Sequence, residues 1–343
     1  MCSNNKNIKI VLTNLVKYNK VFIIGDNMKI KYFSFVIICF LFITCNSFKP
    51  EKITDSIYIR EYQPFREGTK AVNLSETATL RFQNNLPRLD GATALYPLYT
   101  AFVQAVYPED DYDPYGSNCI VDANTTTIAY RNLLEGKTDI IFCAKPSNEQ
   151  IEMAREKGIN FNMVPIGREA FVFFVNIRNP VSNLTTEEVV SIYSGKIRNW
   201  SELDGKRNAI RVYQRSKNSG SQTMLESIMG DTGIIKPITE NELTFMLDIV
   251  NVTSSYRNYR NAIGYSFLFY TTKMIQNNKI KLLSINNIFP SKETIQNNRY
   301  PYADEFYAIT INNEKENVKL FIEWILSEQG QYLVEKTGYV PIR

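Results

Sequence analysis

Short apolar runs alternate with amphipathic stretches through residues 86–343, and this alternation limits the chain to an α/β architecture. Ala170 to Val175 (Ala-Phe-Val-Phe-Phe-Val) is the most strand-like segment. Leu86–Leu89, Ile120–Val121, Asp139–Phe142, Met163–Ile166, Ile210–Tyr213 and Phe306–Ile311 read as further strands. Helices are expected around Leu98, Phe102, Val103 and Val106, over Thr126–Glu135 and Asn148–Glu156, from near Met224, and over Val318–Leu326. Thr185, with Glu188 three residues on, forms a capping box ahead of Val189, Val190 and Ile192. At 343 residues the chain is longer than one hydrophobic core sustains, so two domains are expected.

The sequence contains no histidine. Ser-His-Asp and Cys-His catalysis, the common zinc sites and an imidazole pH switch are therefore excluded. No CxxC-type spacing offers a thiolate metal site, and the expectation is a non-enzyme with no catalytic residue, cofactor or metal. Asp110, Asp111 and Asp113 form the one tight acidic group, but between Pro108 and Pro114 they read as a solvated loop. A net charge of +4 with scattered basic residues gives no reason to expect nucleic acid.

From Met28 the order is Met-Lys-Ile-Lys, an apolar run from Tyr32 to Ile43, then Thr44-Cys45-Asn46-Ser47. That is the layout of a secretory signal, and the run is too short for a comfortable membrane span of about 20 residues. Phe42-Ile43-Thr44-Cys45 resembles a bacterial lipobox, which makes Cys45 the expected lipidation site. Residues 1–27 are read as an over-extended start, 28–45 as the lipoprotein signal peptide, and the polar stretch 46–85 as a tether. Export leaves Cys119 and Cys143, either as a disulfide or as two separate thiols.

Two loops have the physics of an anion site. Gly91-Ala92-Thr93-Ala94 and Arg215 to Thr223 each join a strand to a helix and are rich in small or hydroxyl residues. The first N–H groups of a helix lack partners and carry partial positive charge, glycine admits close approach, and Arg215 adds a charged planar fork. Asn124-Thr125-Thr126-Thr127, also ahead of a helix, is a third candidate. Each loop alone is also what an ordinary N-cap looks like.

Three segments carry a family resemblance: Asp90 to Tyr99 (Asp-Gly-Ala-Thr-Ala-Leu-Tyr-Pro-Leu-Tyr), Ile192 to Trp200 (Ile-Tyr-Ser-Gly-Lys-Ile-Arg-Asn-Trp) and Arg215 to Ser221. In order and spacing they resemble the phosphate-binding proteins of ABC importers, as does the ending Gly338-Tyr339-Val340-Pro341-Ile342. The resemblance implies a two-lobe periplasmic-binding-protein-like (type II) fold, with a ligand cleft between lobes joined by two crossing strands. The crossings are placed near Gly167–Val175 and Tyr300–Ile309, lobe one at 86–168 and 304–343, and lobe two at 169–303. It places ligand contacts at Thr93, Ala94, Thr125 or Thr126 in the first lobe, and at Arg215, Ser219, Gly220 and Ser221 in the second.

It further implies a monomeric extracytoplasmic lipoprotein, held to the membrane by its lipid alone, that hands inorganic phosphate or a related oxyanion to an ABC permease. The alternative is a sensor or surface lipoprotein on the same fold with another ligand or a protein partner. One departure bears on this choice. The family usually places an aspartate after the strand that here ends at Phe142, where it accepts the proton of hydrogen phosphate; this chain has Cys143-Ala144-Lys145-Pro146. Lys145 adds positive charge to the cleft or points to solvent.

Overall fold

In the computed structural model, which describes residues 55–342 except 117–118, 238–241, 256, 258–259 and 313–314, the alternation becomes one mixed sheet clothed by helices. The expected signal peptide, the lipidation site Cys45 and the first part of the tether lie outside the described residues. Helix α1 (Asp55–Arg60) is followed by a long irregular stretch and then by β1 (Leu89–Gly91), α2 (Tyr96–Val106) and α3 (Thr126–Leu134). Next come β2 (Ile140–Cys143), α4 (Asn148–Glu156), β3 (Phe161–Asn176), β4 (Asn183–Leu184) and α5 (Thr186–Tyr193). The middle of the chain supplies β5 (Arg211–Val212), β6 (Gln214–Arg215), α6 (Gly220–Met229), β7 (Glu242–Leu243), α7 (Met246–Ser254) and β8 (Ala262–Phe267). The last part holds β9 (Ile280–Leu282), β10 (Ser284–Ile285), α8 (Lys292–Gln296), β11 (Ala303–Ile311), α9 (Glu316–Ile325) and α10 (Glu328–Thr337).

The main sheet runs β1-β2-β11-β3-β8-β5, with β9 also paired to β3. β3 holds it together. Its first part, Phe161 to Ala170, pairs antiparallel with β11, and its second part, Phe171 to Asn176, pairs with β8 and β9. The strand therefore belongs to both halves, which are the two lobes of a type II binding-protein fold, and β11 runs beside it. The separately expected strands Met163–Ile166 and Ala170–Val175 are one element of 16 residues. Between them stand Gly167, Arg168 and Glu169, which interrupt the apolar pattern but stay paired with β11, beside a bulge at Ile166.

Other local expectations hold with shifted ends. The capping box at Thr185 is present, with Glu188 N donating to Thr185 Oγ1 and Thr185 N to the Glu188 carboxylate. Ser147 and Gln150 build the same device for α4. The strand expected at Leu86–Leu89 starts only at Leu89, and Ile120–Val121 contributes a single parallel bridge from Val121 to Leu89. The helix expected near Met224 begins four residues earlier, at Gly220. Cys119 and Cys143 are both free thiols.

The tether reading does not hold from Asp55 onward. Ile59, Tyr62, Ala78 and Phe82 are buried in the same apolar cluster as α2 and α9. Ile59 and Tyr62 stand three apart and Ala78, Leu80 and Phe82 alternate with polar residues, but these apolar stretches are too short to mark a long helix or strand; their burial comes from tertiary packing. Phe82 meets Tyr107 and Phe321 edge to face, with ring centroids 5.8 and 6.1 Å apart. The acidic loop anchors this segment: Arg60 pairs with Asp113 at 3.0 Å, and Gln63 Nε2 donates to Asp111 at 2.7 Å.

Candidate functional site

The first wall of the site grows out of β1. Gly91 has no room for a side chain, since a Cβ there would stand 2.7 Å from the Phe142 carbonyl of β2. Ala92 N donates to that carbonyl at 2.9 Å, and a single 3₁₀ turn, Thr93–Leu95, leads into α2. Because Leu95 N closes on Ala92 O, the N–H groups of Thr93 and Ala94 are the early donors that a turn of this kind cannot satisfy internally. Tyr339 donates to the Ala94 carbonyl and pins the turn to the segment after α10.

Asp90 organises this wall. It is fully buried, and its Oδ1 accepts from Gly91 N at 2.8 Å and Asn124 N at 3.0 Å. Its Oδ2 accepts from the side-chain amides of Asn124 at 3.0 Å and Asn132 at 2.8 Å. Burial pushes this carboxyl up and the donors pull it back. One carboxylate thus ties the Gly91 loop to the Asn124–Thr126 loop and to α3. Thr125 is the N-cap of α3 but makes no side-chain capping bond, and Thr126 is buried in the first turn with its hydroxyl against the Cys143 thiol.

The second wall is the start of α6. Ser219 caps it by accepting from Gln222 N at 3.3 Å, so Gly220 and Ser221 carry the first helical N–H groups. The Ser221 hydroxyl is buried and has no hydrogen-bond partner among the described residues. Arg215, 6% exposed, sends Nε to Leu243 O at 3.2 Å and Nη2 to Thr244 O at 2.9 Å. Burial draws its guanidinium down from the usual arginine range, and the oxygens of Tyr265 and Asp55 oppose that shift. Asp55 itself is buried and accepts from Leu247 N at 3.2 Å and from the Tyr270 hydroxyl. Burial pushes the Asp55 carboxyl up, opposed by the Tyr270 hydroxyl and by the charge of Arg215, so α1 acts on the arginine through longer-range electrostatics rather than an ion pair. No local pattern in the sequence marks Asp55 for this.

The walls meet. A methyl on Gly220 would lie 3.1 Å from Thr126 Oγ1 and 3.8 Å from the Ala144 methyl, so the first turns of α3 and α6 touch. Ser147 Oγ donates to Asn218 Oδ1 at 2.8 Å, Gln150 Nε2 to Asn218 O at 3.3 Å, and Lys217 pairs with Glu149 at 2.6 Å. Behind this seam lies a cavity with a free volume of about 30 Å³, room for one or two waters or a group of that size. Ala92, Ala94, Thr126, Ala144 and Gly220 line it with three acidic residues, Glu169, Asp304 and Glu305, and Phe171, Phe267 and Phe306 form apolar walls. A wider pocket of about 470 Å³ opens beyond it past Lys145, Ser147 and Thr223.

Of the expected contacts, Ala94, Thr126 and Gly220 line the cavity. Thr93 and Thr125 are half-buried beside them, and Arg215, Ser219 and Ser221 are buried on the second side without lining it. Lys145 is paired with Asp304 at 3.0 Å, so its charge is spent within the protein. Glu169, Asp304 and Glu305 are acidic cavity residues that pattern reading passes over, although a glutamate directly before an unbroken apolar run is a visible sign. Among the described residues no group of three or more His, Cys, Asp or Glu side chains could hold a metal ion, and no described helix is long and apolar enough to cross a membrane.

A family model described as a PBP superfamily domain matches residues 83–329. The phosphate-binding protein PstS of Borreliella burgdorferi is 25% identical over 265 residues, covering 74% of this chain and 89% of the relative. The protein SphX of Synechococcus elongatus is 26% identical over 277 residues, 76% of this chain and 78% of that one. An ABC-type phosphate transport receptor from Vibrio cholerae has the same fold, with a TM-score of 0.55 at 20% identity over 74% of this chain and 98% of the receptor.

Proposed function

This chain belongs to the PBP superfamily, and from that premise we propose that it captures inorganic phosphate, or an oxyanion of the same shape, outside the cytoplasm for delivery to an ABC permease. The PstS relative is described as a phosphate-binding protein and the Vibrio cholerae structure as a phosphate transport receptor, names of binding proteins rather than enzymes. The carrying observation is the convergence of three helical N-termini, at Ala94, Thr126 and Gly220, on one small cavity. Their N–H groups suit an anion that brings its own negative charge. Arg215 adds charge from the second side, and the unpartnered Ser221 hydroxyl is a donor in reserve.

In this reading the protein is a monomer anchored through a lipid on Cys45, and residues 86–168 with 304–343 close against 169–303 around the anion. Thermal shift and calorimetry on the purified protein with phosphate, sulfate, arsenate and molybdate test it. Phosphate is expected to raise the melting temperature by several degrees at a hundredfold excess over Kd, and Arg215→Ala to remove most of the shift at the same phosphate concentration. If no oxyanion moves the transition, the transport reading fails and the sensor or partner-binding reading takes its place. Ala144 and Lys145, standing where an acidic acceptor is usual, favour that second reading.

A further inference from the structure

Three acidic residues line the cavity, Glu169, Asp304 and Glu305, and of these Glu169 alone is itself buried. Glu169, 8% exposed, receives a single hydrogen bond, from Phe269 N to Oε1 at 2.6 Å, and among the described residues Oε2 has no partner. No cation answers it. Arg168, its neighbour on β3, sends its guanidinium to Asn298 at 2.6 Å. From β11, Asp304 stands opposite Glu169 in register but is paired with Lys145, and Glu305 accepts from the Tyr307 hydroxyl at 2.9 Å. After α10, Tyr339 gives its proton to Ala94 O. Lys273 and Lys292 share a second pocket with Glu169, and Lys292 is bound to Glu335 at 3.0 Å.

A carboxyl among phenylalanine rings, without a cation, favours its neutral form. Burial pushes that of Glu169 up to about 8, against the opposing bond from Phe269. Its proton then decides what the cavity admits. A protonated carboxyl donates one hydrogen bond to any tetrahedral oxyanion. An ionised one only accepts, and it repels an anion that has no proton to give. Sulfate has none and hydrogen phosphate has one.

We propose that Glu169 sets the selectivity of this site among tetrahedral oxyanions: protonated, it admits sulfate and phosphate alike, and ionised, it admits only an anion that carries a proton. The inference rests on the oxyanion reading above. It gives a strand crossing between the lobes the discriminating role for which Ala144 has no functional group.

Calorimetric titration of the full chain with phosphate and with sulfate, from mildly acidic solution to pH ~9.5, tests it. Affinities are counted on the dianion. The phosphate-to-sulfate ratio is expected to rise about tenfold per pH unit once Glu169 ionises, because sulfate must then bind together with one proton. That proton is read directly from the dependence of the heat on buffer ionisation. In Glu169→Gln the carboxamide donates at every pH, so the ratio is expected to stay flat. A wild-type ratio independent of pH, or a variant that keeps the wild-type slope, overturns the proposal. Should the variant not fold, the wild-type proton count still decides. If neither anion binds the wild type, the oxyanion reading falls and this proposal with it; if both bind at a constant ratio, only this proposal falls.

Discussion

The two walls of the cavity solve one problem with opposite charges. On the first, the buried carboxylate of Asp90 collects four N–H donors and thereby fixes the Gly91 and Asn124 loops. On the second, the buried guanidinium of Arg215 is bound to two carbonyls beside α7 and feels the charge of Asp55 without an ion pair to it. Neither charged group lines the cavity: Asp90 fixes the loops that carry Gly91 and Asn124, whereas Arg215 holds Leu243 and Thr244, which do not line it. The walls also differ in self-sufficiency. Asp90 is held by residues of its own half, whereas the environment of Arg215 is completed by a helix some 160 residues earlier in the chain, as the Asp55–Arg215 spacing shows. The first wall is a local construction, and the second depends on the chain's N-terminal region.

Asp90→Ala breaks the comparison most severely. It leaves two loops of buried donors unpaired, and an unfolding free energy lower by about 3–5 kcal/mol is expected in denaturant titration. Arg215→Ala comes next. Phosphate affinity by calorimetry is expected to fall about 100-fold, with a smaller loss of stability than for Asp90. Asp55→Ala sharpens the asymmetry, since it removes the distant counter-charge without touching the first wall. A stability loss of about 1–3 kcal/mol is expected, and hydrogen exchange should quicken at Leu247 while Gly91 and Asn124 stay protected.

Glu169, between the walls, contributes through pH. Its folded carboxyl is held at about 8, above its unfolded range, so its contribution is fully present below that range. It is lost as pH rises toward the folded value. Without ligand, Glu169→Gln is therefore expected to melt higher than wild type at pH ~8, by about 2–4 °C, and to match it in mild acid. The smallest effect belongs to the exposed Lys217–Glu149 pair across the seam. Lys217→Ala is expected to leave the melting temperature unchanged within error.

Much of the framework is legible without coordinates where the determinants are local. α4 is bounded by a capping box written in four consecutive residues, Ser147 to Gln150, and β2 by an unbroken apolar run. The start of α6 is not legible in the same way. Gly220 and Ser221 are poor helix formers, and helical periodicity shows only from Met224. Ser219 overrides that propensity by capping Gln222 N, and the four residues gained place Gly220 against Thr126. The same limit explains the segment 55–85: its apolar stretches are short and separated by polar residues, and only packing against α2 and α9 reveals them as core.

By itself, the sequence determined the alternating α/β class, the strand-to-helix loops suited to an anion, and the exclusion of imidazole chemistry, because those depend on residue type and short-range spacing. Tertiary structure alone decided that Ala94, Thr126 and Gly220 share one cavity while Arg215 stands in the wall, that Asp55 is buried against Tyr270, and that Glu169 faces the cavity without a cation. The physical reason is range. Capping and periodicity act over a few residues, whereas desolvation and charge pairing depend on which distant segments the sheet order brings into contact.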